Sequence, residues 1–238
     1  MRAVARALAA CCAAMLAGCA SGPEPIVYSQ ATPAGEMRVP AGTGQKQISV
    51  QITIVTIDEG FADRHGLVGG FGHSAGSLLT ESQRQKLLEY VRGSKKAHIL
   101  ASPGVVLLNG VPGSVSLLDE HRYISDYRLR AGGQYEPVVS TVHSGIQTDL
   151  KAIAGTGGRI VGLKIGARLS ELKELRDVPA ANIPSAERIT VQYPEMEVVE
   201  MLTATAIPPG HTLALMQPCT LQGRKRLVLL LARPEILE

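Results

Sequence analysis

Residues 72–76 read Gly72-His73-Ser74-Ala75-Gly76, the G-x-S-x-G pattern that surrounds the nucleophile of many serine hydrolases. The chemistry it offers is acyl transfer, with a serine hydroxyl raised on a sharp strand-to-helix turn and activated by a histidine from elsewhere in the chain. Histidines follow it at His98, His121, His143 and His211, three of them in or beside predicted strands, where a structural role is the commoner one. The turn has strict requirements. A buried strand must run directly into the serine and a helix must leave it at once. Here Gly66-Leu67-Val68-Gly69-Gly70-Phe71 come first, too glycine-rich for a central strand, and the next helix signal begins near Thr80. Such a turn also belongs to a parallel sheet built from strand–helix–strand units, which this chain does not encode. Ser74 therefore reads as a loop residue, and a serine hydrolase using Ser74 is a distant third reading.

Other constellations are weaker. Glu195 and Glu197 fall on one face at strand spacing, as an acid–base pair would, with Glu200 close by. A charged strand edge that deters aggregation explains these carboxylates better. There is no H-E-x-x-H, C-x-x-C or P-loop sequence, so no catalytic residue, cofactor-binding residue or metal ligand is predicted and the protein is read as a non-enzyme. Aromatic residues make up 3% of the chain, Trp is absent and the net charge is only +3, which excludes nucleic acid as a partner.

The N-terminus carries chemistry of another kind. Arg2 and Arg6 precede an apolar stretch from Ala7 to Leu16, which ends in Leu16-Ala17-Gly18-Cys19. A short apolar run followed by small residues is an export signal. Its ending resembles the lipobox of bacterial lipoproteins, which implies a signal peptide over 1–18 and lipidation of Cys19. Several buried acyl chains, at about 0.8 kcal/mol per methylene, would hold the protein firmly to a membrane. Ala20 and Ser21 follow, with no Asp, which in lipoproteins of the enterobacterial type implies sorting to the outer membrane. Cys11 and Cys12 leave with the signal, so Cys219 is the remaining thiol and no intramolecular disulfide is expected.

The elements that must position anything functional begin after a Pro-, Gly-, Ala- and Ser-rich tether over 19–45. Ile48, Val50, Ile52 and Ile54 alternate with polar residues, predicting a half-buried strand. Glycines cluster over 60–76, predicting a long loop. Thr80-Glu81-Ser82-Gln83 is a capping box, and Leu87, Leu88 and Val91 give the helix that follows its apolar stripe, with Gly93 as its stop. From there the chain reads as strands. Val105–Leu108 and Val115–Leu118 flank Asn109-Gly110, a hairpin signal; Tyr123–Leu129 and Val138–Val142 flank Gly132-Gly133; Ile146–Ile153 and Ile160–Leu169 flank Gly155–Gly158. A loop is predicted over 176–187, then two more strand pairs, turning at Pro208-Pro209-Gly210 and near Gln222-Gly223. Leu227–Leu231 has no alternation and should be buried on both faces or packed on lipid. Gly145 and Gly210 are the glycines expected to need a bulge or a positive φ. The fold class is mainly β with one or two helices (α+β), made of antiparallel hairpins.

Residues 46–238 resemble the C-terminal domain of the bacterial secretins, outer-membrane ring proteins of type II and type III secretion and type IV pili. The stretches that carry the resemblance are Gln47–Ile57, like the opening strand; Ile99–Val115, similar to the family's S-x-P hairpin; Ser144–Leu150 through Ile160–Ile165; and Ile207–Leu215, similar to its glycine turn, followed by Leu227–Leu237, like its closing strand. The chain departs from the pattern where Met216-Gln217 replace a glycine pair and only Met216–Lys225 precede the last strand. The resemblance implies a structural component of protein secretion or pilus assembly, lipid-anchored in the outer membrane, that associates through β edges with further copies in a ring or with other secretion or pilus components. The alternative is a non-channel periplasmic binding or scaffold lipoprotein with the same fold, its edges blunted by Pro112, Pro137 and the glutamates at 195–200.

Overall fold

Ile48, Val50, Ile52 and Ile54 lie on β1 (Gln47–Asp58), and its two halves are buried differently. The first half alternates buried and exposed residues, whereas Thr53–Ile57 is buried on both faces. The computed structural model, which describes residues 46–59, 76–155, 157, 159–180, 189–221 and 223–237, supplies the reason. β1 is central in a six-stranded sheet, and one helix covers the outer face of its second half. The signal peptide, the tether, Cys19, Ser74 and most of the glycine-rich loop lie outside the described residues.

That first sheet runs in the order β2-β9-β10-β1-β3, where β2 is Ser77–Thr80, β3 Ala97–Ala101, β9 His211–Leu221 and β10 Arg224–Leu237; β4 (Gly104–Leu108) also pairs with β1. β10 pairs with the whole of β1, from Gln47↔Leu237 to Asp58↔Arg226. β3 and β4 share its other edge, and the break between them falls at Ser102-Pro103. There the Ile52 N–H donates to the Pro103 carbonyl at 2.9 Å, while the Ser102 hydroxyl donates to the Ile52 carbonyl at 3.3 Å. The second sheet is an antiparallel meander of β5 (Pro112–Leu129), β6 (Tyr135–Ala154), β7 (Val161–Pro179) and β8 (Thr190–Ile207).

α1 (Glu81–Gly93) starts where its capping box places it. The Thr80 hydroxyl accepts from the Gln83 N–H at 3.4 Å, and the Gln83 side chain accepts from the Thr80 N–H at 2.9 Å. Leu87, Leu88 and Val91 face Val55, Ile57, Leu229 and Leu231. Each such side chain contributes about 1.5–3 kcal/mol on burial. This lid explains why Leu227–Leu231 shows no alternation: the strand is covered on both faces by protein. The main core lies between the sheets, where Ile48, Ile52, Leu213 and Leu230 meet Leu150, Leu163, Ile165 and Met201.

Three sequence expectations are corrected. Asn109-Gly110 does not close a hairpin, because β4 pairs with β1 and β5 with β6. It is a corner between the sheets, with Gly110 at φ 78°, its N–H donating to the Ala152 carbonyl at 2.8 Å, and Asn109 Oδ1 accepting from the Ala154 N–H at 2.9 Å. The Pro208-Pro209-Gly210 turn likewise joins strands of different sheets rather than a pair. And residues 176–179 belong to β7, not to a loop. The turns at Gly132-Gly133, between β6 and β7, and between β9 and β10 do form hairpins.

Candidate functional site: the projecting arms and their edges

β5 to β8 have 18, 20, 19 and 18 residues, three times the usual strand length of about 5–6. Only one half of each packs on the first sheet. β6 and β7 are paired from Ala154↔Val161 to Gly145↔Ser170, and no further. Beyond that level β5 stays paired with β6 as far as Leu129↔Tyr135, and β7 with β8 as far as Pro179↔Thr190. The meander thus divides into two hairpin arms whose strands project roughly ten residues, about 33 Å.

The division occurs at Gly145. Its φ is +131°, and a Cβ there would stand 2.1 Å from the Leu117 carbonyl oxygen, so only glycine fits. Gly210, the other glycine singled out from sequence, also has positive φ, at 71°.

The two faces of the sheet exchange character along its length. In the packed half, Leu150, Leu163, Ile165 and Met201 face the core, while Asp149, Lys164, Arg168 and Glu200 face away. In the arms the core-side face instead carries mostly polar residues, among them Asp126, Arg128, Glu136, Glu174, Arg176 and Glu195, with Tyr123, Val138 and Tyr193 between them; the opposite face carries mostly apolar ones, among them Tyr127, Leu129, Tyr135, Val139, Leu172 and Met196, interrupted by Glu120, Arg122 and His143. Two bulges help to produce the exchange, one between Ile124 and Asp126 and one between Leu172 and Glu174. Each inserts a residue, so that the side chains beyond it move to the other face. The apolar arm face is partly open to solvent, with Leu129 64% and Val139 57% exposed.

The polar face is cross-linked within each arm. In the first, Ser125 and Ser140 share a 2.7 Å hydrogen bond between hydroxyls, and His121 Nε2 and Ser144 Oγ one of 2.6 Å. In the second, Glu195 meets Arg176 at 3.2 Å and Lys173 at 3.4 Å, and the Arg176 guanidinium lies 5.9 Å from the centre of the Tyr193 ring. Glu195 and Glu197 do share a face, as expected. Glu200 is on the other, 3.6 Å from Arg168.

The histidines are scattered. His98 is on β3, His143 stands 3.7 Å from Glu120 on the first arm, and His211 donates through Nδ1 to the Pro209 carbonyl at 3.0 Å. His121 and Ser144 form a hydrogen-bonded pair with no carboxylate salt-bridged to the imidazole among the described residues, where a nucleophile–base site would have an orienting third group. Among the described residues no group of three or more His, Cys, Asp or Glu could hold a metal ion. Cys219, on β9, is half-buried; burial pushes its thiol up to about 11, with Glu197 and Glu171 adding to the effect and Arg226 opposing it.

What stands open is edge. No strand is paired to the outer side of β5 or of β8 among the described residues. These two strands also approach each other within the chain, where the Ile124 N–H donates to Gln192 Oε1 at 3.0 Å. Sequence reasoning located no residue of this contact. An alternating strand announces which face it buries, not which edge it leaves free.

No protein-family model matches the chain, and no curated protein sequence does. Among solved structures, it is similar to a chain of the Klebsiella pneumoniae type II secretion system outer membrane complex of PulD, PulS and the PulC HR domain, at 13% identity and TM-score 0.40, covering 82% of this chain and 40% of that one. It is similar to the secretin InvG of the Salmonella SPI-1 type III secretion injectisome, at 12% identity and TM-score 0.42, covering 82% and 65%. The Vibrio cholerae type IV competence pilus secretin PilQ is similar at 11% identity and TM-score 0.43, covering 81% and 61%. The chain therefore spans less than two thirds of each of these longer chains. The resemblance named from the sequence and these likenesses fall on the same proteins.

Proposed function

We propose that the protein is a secretin-like, lipid-anchored outer-membrane component of a protein-secretion or pilus-assembly system, and that it acts structurally, by β-edge association with further copies of itself. The single observation that carries this reading is a sheet of 18- to 20-residue strands whose two outer strands have no further strand paired to them among the described residues. Unpaired N–H and C=O groups along an edge are templates for another strand. The exchange of faces supports the same reading. An arm with a mostly polar face and a mostly apolar one follows the trend of a barrel strand between lumen and lipid, and roughly ten residues is the length such a strand needs. Closure into a ring would pair every edge, which a bilayer requires. No helix among the described residues is long and apolar enough to cross a membrane, so strands would have to do so.

The second reading, a non-channel periplasmic scaffold lipoprotein, is favoured by one contact: Gln192 already occupies an edge donor of β5 within the single chain. Pro112 at the start of β5 and Pro137 on β6 likewise interrupt edge donors.

The test is the mass of the native protein extracted from outer membranes in mild detergent, by light scattering and negative-stain imaging. Rings of many copies are the expected result, and a monomer or dimer would favour the scaffold. Replacing Cys19 with Ser and following incorporation of labelled palmitate and membrane retention tests the anchor.

A further inference from the structure

A subunit that associates by its edges has to do something with them while alone. Here the outer edges of β5 and β8 come together, and the bond that joins them is made by a side chain rather than by a strand ladder. Gln192 lies on β8 opposite Asp177, near the end of the second arm. Its carbonyl oxygen takes the N–H of Ile124, which on β5 is the last residue before the bulge at Ser125. The bond is part-buried, and its partners stand 68 residues apart in the chain. Below this level β6 and β7 hold the sheet together as a continuous surface; above Gly145 they do not, so parting the arms would break contacts between β5 and β8 but no β6–β7 ladder.

Two edges of one chain that fit each other are also two edges of neighbouring chains that fit each other. The relation is head-to-tail, β8 of one copy toward β5 of the next, and repetition of a head-to-tail contact closes a ring when the rotation allows. On the reading that the protein self-associates through these edges, we propose that the Ile124–Gln192 contact is exchanged between subunits: it is made within a chain in the isolated protein and between chains in the assembly. The partner is a second copy of this chain, and the closed single chain competes with assembly for the same pair of edges. The exchange conserves the contact, as domain swapping does, so its cost is mainly that of parting the arms.

The experiment uses the full, exported chain in a Cys219→Ser background, with Ile124→Cys and Gln192→Cys introduced singly and together and the background itself as the baseline. A short bis-maleimide is applied to monomeric and assembled fractions separated by size. In the monomer the double variant is expected to give an intrachain adduct. In assemblies of mixed, differently tagged single variants, interchain adducts are expected on the order of a hundredfold above those from random collision, the gain in effective concentration between held groups. Assemblies that yield intrachain adducts alone would overturn the exchange and leave edge association by other segments standing. Monomers without an intrachain adduct would overturn it as well, by removing the closed state. If the background protein never assembles, the reading of function fails, and the exchange falls with it.

Discussion

The packed half of the second sheet and its two arms are built from the same four strands, yet they obey opposite rules. In the packed half, apolar side chains turn inward against the first sheet, and every strand but the outermost has neighbours on both sides. In the arms, each strand has one ladder neighbour, the inward face is mostly polar and the mostly apolar face is partly open. A two-stranded ribbon is marginal in water by itself. The packed half is therefore the part that specifies the fold, and the arms are carried by it. Strand length beyond the core adds edge rather than buried surface.

This contrast can be broken by mutation. Leu163, fully buried between the sheets, is expected to cost about 4 kcal/mol when changed to Ala, read as a shift in the urea unfolding midpoint. Gly145→Val comes next, at about 3 kcal/mol, because the new Cβ meets the Leu117 carbonyl at 2.1 Å and the backbone is held at φ +131°. If it were neutral, the junction between core and arms would be softer than its geometry implies. Thr80→Ala removes the cap of α1, with an expected loss of about 1 kcal/mol. Leu129→Ser, at the tip of the first arm, should leave thermal unfolding within about 0.5 kcal/mol of the parent. A large destabilisation there would mean that the arms are part of the cooperative core after all.

The legible part of the fold was the part whose burial is decided locally. Ile48 to Ile54 announce one buried face, and the unbroken Leu227–Leu231 announces two. The capping box at Thr80 and Gln83 fixes a helix start to the residue. Asn109-Gly110 misled because a hairpin signal describes a turn's backbone and not the partners available to its flanks. β4 finds β1, and β5 finds on β6 a ladder of its full length, far longer than five-residue β4 could offer it. The exchange of faces was hidden for another reason. A period of two carries a reading along a strand only until a bulge, and bulges at Ser125 and Lys173 reset it. The candidate site is made of those arms and their edges, so it was the least legible part.

Cys219 sharpens the comparison from the side of pH. Its thiol faces the glutamates Glu171 and Glu197 where packed half and arms meet, and it is pushed up to about 11, first by burial. A thiol with a raised folded-state pKa favours the native state fully below the unfolded value of about 8.5, and that advantage is lost as pH rises toward about 11. Alkylation of the native protein at pH 8 should therefore be slow compared with that of the urea-unfolded chain. The stability difference between wild type and Cys219→Ala should move against the wild type between about pH 8.5 and 11. A thiol that reacts as fast folded as unfolded would mean that the junction opens readily.

β1, the first strand, has as its full-length partner β10, the last, from Gln47↔Leu237 to Asp58↔Arg226. The central pairing of the domain is thus the most distant one in sequence, and chains dominated by such contacts fold slowly. A ribosome-bound chain can pair β1 with β3 and β4 on one edge, but its other edge has no partner until Arg224–Leu237 have been made. The first sheet is therefore completed last, when β10 fills the remaining edge of β1.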